Sequence, residues 1–170
     1  AVVAAQERTA GNAVDDAGIL LRIKNAYAQQ DYKDLLANVE IKVVEGRVLL
    51  TGNVDKPDSQ IEAVRLAWQI SGVREVINEV QISDKAGIWN YTRDVWISTQ
   101  IKTRLVLAKD IRSINYSIIT VNQVVYVMGI AQDQAELDRV TYVASTTSYV
   151  QRVVSYVRMK DDPRRGYNPQ

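Results

Sequence analysis

The residues best suited to binding chemistry fall on one predicted helix in the second half of the chain. Five basic and two acidic side chains lie on this helix or within a few residues of it, which favours an anionic partner. Trp96 lies beside the apolar stripe of the helix, where an indole can enter a lipid interface and point its N–H at head groups. Thr99, Gln100 and Thr103 continue the same side at spacings of three and four. Lys102 adds a positive charge there.

The aromatic residues leave two interpretations open. Trp96 either contacts lipid or packs against another part of the chain, and the residues alone favour packing. Trp89 and Tyr91, just ahead of the helix, either extend an interfacial patch or join two parts of the chain. Trp68, in a different apolar helix, is predicted to pack in the core or between units.

The composition argues against catalysis. The chain has no cysteine and no histidine, which excludes thiol nucleophiles, imidazole acid–base chemistry and most transition-metal sites. The acidic pairs at 15–16 and 161–162 diverge along the chain and are explained by capping and solvation. Because 21 basic residues balance 20 acidic ones, no global field favours nucleic acid. We therefore predict no enzyme activity, cofactor, metal or small-molecule substrate.

A repeat positions these residues. The segment 41–52 is echoed by 118–129 at an offset of 77 residues, and both contain a hairpin with alternating apolar residues. Upstream, Asp16 and Ile19 recur as Asp94 and Ile97 at an offset of 78. Two copies of one structural unit are therefore predicted.

Each unit has the same predicted order of elements. An amphipathic helix comes first, and its apolar stripe in the second unit is Ile97, Ile101 and Leu105. Asp94 is predicted to cap this helix, as Asp15 or Asp16 would cap its counterpart. A hairpin, a second helix and a final strand follow. The fold class is α+β, with two α-β-β-α-β repeats, each a three-stranded mixed sheet with two helices on one face.

The predicted boundaries follow the repeat. We expect an N-terminal extension over 1–14, a first domain over 15–82, a linker over 83–93, a second domain over 94–159 and a C-terminal tail over 160–170. The first domain carries 8 basic and 11 acidic residues and the second 7 and 5, so the second is the better anion binder.

The repeat resembles the BON domain, the bacterial osmotic-stress and nodulation domain. The family marks are a Gly-x-Val-x-Leu-x-Gly hairpin and a Gly-Val-x-x-Val-x-Asn final strand, and both are present in the first unit at 46–52 and 72–78. The second unit departs from the pattern, because Gln123, Tyr149 and Ser155 replace glycine, glycine and asparagine.

The resemblance implies a function and a location. Members are periplasmic, often lipid-anchored to the outer membrane, and implicated in phospholipid binding and envelope integrity. We expect the lipid-binding site to consist of Trp96, Thr99, Gln100, Lys102, Thr103, Trp89 and Tyr91. The expected partner is an anionic phospholipid surface, and envelope proteins are further candidates. The chain starts at Ala1, so a removed signal peptide or a lipid-bearing N-terminal cysteine is compatible with it. The alternative is a periplasmic protein–protein scaffold that uses the same aromatic surface without lipid.

Overall fold

The structure, a computed structural model, describes residues 6–30, 33–83 and 88–166. The chain divides into two units. The first unit spans Thr9–Ala86, and the second spans Gly87–Gln170 and includes the N-terminal segment up to Arg8. Each unit contains one three-stranded sheet whose middle strand is the second strand of the hairpin.

The first unit contains three helices and three strands among its described residues. They are α1 (Ala10–Gln29), α2 (Lys33–Asn38), β1 (Val39–Val44), β2 (Arg47–Val54), α3 (Pro57–Trp68) and β3 (Glu75–Ile82). β1 is antiparallel to β2, whereas β3 is parallel to β2 because α3 carries the chain back across the sheet. The short helix α2 was not predicted, and its Leu35 is fully buried.

The second unit repeats this topology. Its elements are α4 (Ile88–Leu107), β4 (Tyr116–Val121), β5 (Val124–Ala131), α5 (Gln134–Ser145) and β6 (Arg152–Met159). A single 3₁₀ turn, Ser113–Asn115, stands where the first unit has α2. β4 pairs antiparallel and β6 pairs parallel with the central strand β5. The predicted α+β class, with two repeats and mixed sheets, is confirmed.

The core of each unit lies between its helices and one face of its sheet. In the second unit Ile97, Ile101 and Leu105 of α4 are buried against that face. In the first unit the buried hydroxyl of Tyr27 donates to the Ala63 carbonyl at 2.7 Å and links α1 to α3. Burial raises the pKa of Tyr27, so this donor stays protonated. Each fully buried aliphatic side chain contributes about 1.5–3 kcal/mol.

A buried aspartate in each unit holds the hairpin turn. The Asp16 carboxylate accepts hydrogen bonds from the backbone N–H groups of Glu45 at 2.7 Å and Gly46 at 2.9 Å. In the second unit the corresponding carboxylate, that of Asp94, accepts from the N–H groups of Asn122 at 2.7 Å and Gln123 at 3.0 Å. All four turn residues have positive φ, typical of a two-residue hairpin turn whose twist matches the strands.

The prediction that these aspartates cap helices is therefore wrong. α1 begins at Ala10 and is capped by Thr9, whose hydroxyl accepts from the Asn12 N–H at 3.1 Å. α4 begins at Ile88, six residues before Asp94. Aspartate is common at helix starts, but here its partners lie 28 to 30 residues further along the chain.

Candidate functional site

The candidate site is the side of α4 that faces away from the core. α4 is 20 residues long, which corresponds to about 30 Å. Its early start extends this side by about one and a half turns beyond the predicted helix and brings Tyr91 onto it. We call it the α4 surface, and it comprises Tyr91, Val95, Trp96, Thr99, Gln100, Lys102, Thr103, Val106 and Leu107.

The α4 surface is apolar and nearly without charge. Tyr91 is 72% exposed, and Val106 and Leu107 are 69% and 75% exposed near the end of the helix. Val95 and Trp96 lie between these two ends of the helix and are 46% and 43% exposed. From residue 90 to residue 107, Lys102 is the one charged residue among the exposed positions. A helix that is apolar on its buried side and also on its exposed side has a surface suited to a partner.

The threonines of this surface direct their hydroxyl groups into the helix. The Thr99 hydroxyl donates to the Val95 carbonyl at 2.8 Å, and the Thr103 hydroxyl donates to the Thr99 carbonyl at 2.9 Å. Each donor is therefore satisfied without water. Such hydroxyls cost less to move into an apolar environment than free ones.

The predicted site residues come together on this surface, with one exception. Trp96, Thr99, Lys102, Thr103 and Tyr91 are exposed, and Gln100 is half-buried. Trp89 belongs to the first turn of α4, but its side chain lies outside the described residues.

Three apolar residues of the surface were not predicted from the sequence. These are Val95, Val106 and Leu107. They could have been found from the sequence, because they are apolar residues that lie outside the buried stripe of Ile97, Ile101 and Leu105.

Several of the predicted bases are engaged within the second unit. The Arg104 guanidinium donates to the Val143 carbonyl at 2.8 Å and to the Thr147 hydroxyl at 2.9 Å, at the end of α5. Arg112 lies 3.6 Å from the Glu7 carboxylate. Arg104 is therefore held against α5 and Arg112 is paired with an acid, whereas Lys102 and Lys109 are exposed.

A tyrosine from outside the helix completes the surface. The ring of Tyr149, in the loop between α5 and β6, meets the Trp96 ring edge-on, with centroids 5.7 Å apart and planes at 73°. Tyr149 is 63% exposed. Edge-to-face contact is a favoured arrangement for an aromatic pair, so the two rings hold each other in place.

The corresponding helix of the first unit offers a different surface. Gly18 of α1 stands at the repeat position of Trp96, and Asp15, Arg22 and Lys24 are exposed along the helix. Trp68 is 51% exposed on α3, so it is not a core residue, while the alternative that it packs between the units stays a prediction. An exposed tryptophan is thus present in each unit. The exposed positions of α4 include the single charged residue Lys102, whereas those of α3 include both Asp58 and Arg65.

Among the described residues, no helix is long and apolar enough to cross a membrane. No group of three or more histidine, cysteine, aspartate or glutamate side chains among the same residues could hold a metal ion.

Fold and surface together define a tandem-repeat α+β protein in which the side of α4 away from the core is exposed and largely apolar. The BON domain family model matches residues 15–84 and again residues 93–161. The chain belongs to this family and contains two copies of the domain.

Relatives support this assignment over most of their length. The chain is 44% identical over 153 residues to an uncharacterized protein from the gshII 5′ region of Anaplasma centrale, which covers 89% of this chain and 99% of that protein. It is 30% identical over 162 residues to the outer membrane lipoprotein DolP of Haemophilus influenzae, with 95% and 83% covered. It is 26% identical over 152 residues to the osmotically-inducible protein Y of Escherichia coli, with 88% and 75% covered.

Proposed function

We propose that this protein is a non-enzymatic module of the bacterial cell envelope that binds anionic phospholipid through the α4 surface. The observation that carries the proposal is the exposed side of α4, where aromatic and aliphatic residues surround a single lysine. In the proposed contact, the exposed side of α4 enters the membrane interface and its apolar residues lie at the boundary between head groups and acyl chains.

The energetics favour a reversible peripheral contact. Full insertion of the Trp96 indole would contribute roughly 1.5–3 kcal/mol, and the exposed aliphatic residues near the end of α4 add to this. Lys102 and Lys109 each add about 1 kcal/mol beside an anionic surface. Aromatic and aliphatic burial would supply most of the affinity, and the lysines the preference for negative head groups.

The envelope placement draws on a relative. The Haemophilus influenzae relative is named an outer membrane lipoprotein, and the chain aligns with most of its length. By analogy, this protein acts in the periplasm at the outer membrane, where binding supports membrane integrity. A lipid anchor on a removed N-terminal cysteine is part of this proposal. Such an anchor would supply the second attachment that stable membrane binding requires.

Changing Trp96 to alanine tests the site. We expect Trp96→Ala to raise the Kd for vesicles containing phosphatidylglycerol by about ten- to a hundredfold, because the lost apolar burial corresponds to one to two factors of ten. The loss should persist at high salt, since salt screens charge attraction but not apolar burial. Vesicle flotation at two ionic strengths measures both.

Trp68→Ala is the matched control. Trp68 is 51% exposed and Trp96 is 43% exposed, but Trp68 lies in the first unit. Its replacement should leave vesicle binding unchanged. Equal losses from the two variants would contradict the site. A large fall in melting temperature for Trp96→Ala alone would show that the indole is a packing residue. Normal vesicle binding by a folded Trp96→Ala variant would favour a protein partner.

A further inference from the structure

The two units differ in a correlated way at one place in the fold. Where the first helix meets the loop before the final strand, the first unit has Gly18 and Gly72. The second unit has Trp96 and Tyr149 at the same repeat positions, at offsets of 78 and 77 residues. Both glycines of one unit are therefore aromatic in the other, and the two aromatic rings are in contact.

The first unit shows that the fold does not need aromatic residues there. The Arg22 guanidinium of α1 donates to the Ser71 carbonyl at 3.2 Å and joins helix to loop directly. A Cβ atom added to Gly72 would lie 3.2 Å from the Cδ1 atom of Ile19, so the loop backbone packs closely on the helix. Glycine and one arginine are sufficient to close this junction.

The second unit keeps tyrosine at a position where the backbone favours glycine. Tyr149 has φ +72°, in the left-handed region that non-glycine residues rarely adopt. Gln123, another non-glycine residue with positive φ, fixes the loop by donating its side-chain N–H to the Tyr149 carbonyl at 2.9 Å. Residues in this region cost about 1–3 kcal/mol each and persist where the surrounding structure fixes them, which is frequent at functional sites.

We infer that Tyr149 is a second anchor for the anionic membrane and acts as one unit with Trp96. This inference rests on the proposed function of the α4 surface. The loop directs an exposed tyrosine toward the side of Trp96, so that two rings from different elements enter the interface together. Tyrosine and tryptophan share the amphipathic character that concentrates both at membrane interfaces. The membrane contact thus extends from α4 to the loop between α5 and β6.

The test replaces Tyr149 by glycine and by alanine in the full chain. Both variants should raise the Kd for vesicles of phosphatidylglycerol and phosphatidylcholine by about five- to tenfold, since each loses the same ring. Tyr149→Gly should melt a few degrees above Tyr149→Ala, because glycine relieves the positive φ and alanine does not. Weaker membrane binding in the more stable variant separates a binding role from a packing role.

Two further variants make the result decisive. Tyr142 on α5 is 66% exposed, close to the 63% of Tyr149, so Tyr142→Ala is a matched loss of an exposed tyrosine. It should bind vesicles as the unchanged protein does, and an equal loss would overturn the inference. The double variant Trp96→Ala, Tyr149→Gly should lose less than the product of the two single losses, because the rings act as one unit.

The failures of the two proposals are distinguishable. If the unchanged protein fails to bind the anionic vesicles, or if Trp96→Ala binds them normally, the proposed function itself fails. If Trp96→Ala binds poorly while Tyr149→Gly binds as the unchanged protein does, only the role of Tyr149 is overturned. Strictly multiplicative losses in the double variant would also overturn it, since they would show two independent contacts.

Discussion

Replacing Gly52 by alanine will destabilise the first unit by about 3–5 kcal/mol, a large effect for a single substitution. A Cβ atom on Gly52 would lie 1.9 Å from the Asn38 carbonyl oxygen, well inside van der Waals contact, and the residue has φ +126°. Asn38 precedes β1, whose first residue Val39 pairs with Gly52 across the hairpin. Relief would require this pairing to open. Thermal unfolding followed by circular dichroism measures the effect.

Gly18→Ala provides a control of opposite sign. Gly18 is helical, and a Cβ atom there would approach nothing closer than the Arg22 Nη2 atom at 3.9 Å. Alanine should stabilise α1 by about 0.5–1 kcal/mol through its higher helix propensity. A melting temperature for Gly52→Ala within a degree or two of the unchanged protein would contradict the close approach. Gly129 repeats the arrangement in the second unit, with the Asn115 carbonyl oxygen 2.0 Å away.

Asp16→Ala is expected to have the next largest effect, a loss of about 2–4 kcal/mol. The carboxylate is only 3% exposed and accepts both backbone N–H groups of the hairpin turn. Without it, two polar groups would stay buried without partners, and each costs about 1–3 kcal/mol. Chemical denaturation read through circular dichroism gives the change in unfolding free energy.

Asp15→Ala and Asp16→Asn complete this test. Asp15 is the exposed neighbour of Asp16, so its removal should change stability by less than about 0.5 kcal/mol. Asp16→Asn keeps one acceptor oxygen and should lie between the alanine variant and the unchanged protein. Equal stability of the alanine variants at the two positions would mean that the turn does not depend on the carboxylate.

The repeat could be predicted from the sequence because each of its helices and strands has a periodic pattern of apolar residues within a short segment. The hairpins alternate with period two, and the helix stripe Ile97, Ile101, Leu105 keeps helical spacing. Both patterns arise because one side of the helix or strand faces the core of its own unit. The glycines of the family pattern supported the prediction of the hairpin. The structure shows why Gly52 is required, because a Cβ atom there would collide with the Asn38 carbonyl oxygen.

Other features depend on contacts that local patterns do not contain. Helix α2 has six residues, too few for a recognisable period. It is stabilised by contacts within the folded unit, among them the burial of Leu35 and the hydrogen bond from the Ser59 hydroxyl to the Asp34 carboxylate at 2.9 Å. Asp16 and Asp94 resemble helix caps because aspartate is common at helix starts. Their actual partners are distant in the chain, so the sequence does not reveal them. Tyr149 breaks the local preference for glycine at positive φ, so its place beside Trp96 emerges only from the fold. The sequence shows that Tyr149 replaces a glycine of the family pattern, but it does not show that its ring contacts Trp96.

The most direct measurement is co-sedimentation of the unchanged protein with vesicles of phosphatidylcholine alone and of phosphatidylcholine mixed with phosphatidylglycerol. The α4 surface should bind the mixed vesicles more tightly, and this preference should shrink as salt screens Lys102 and Lys109, while the apolar contribution remains. Equal binding to the two vesicle types, or no binding to either at low salt, would contradict an anionic phospholipid site.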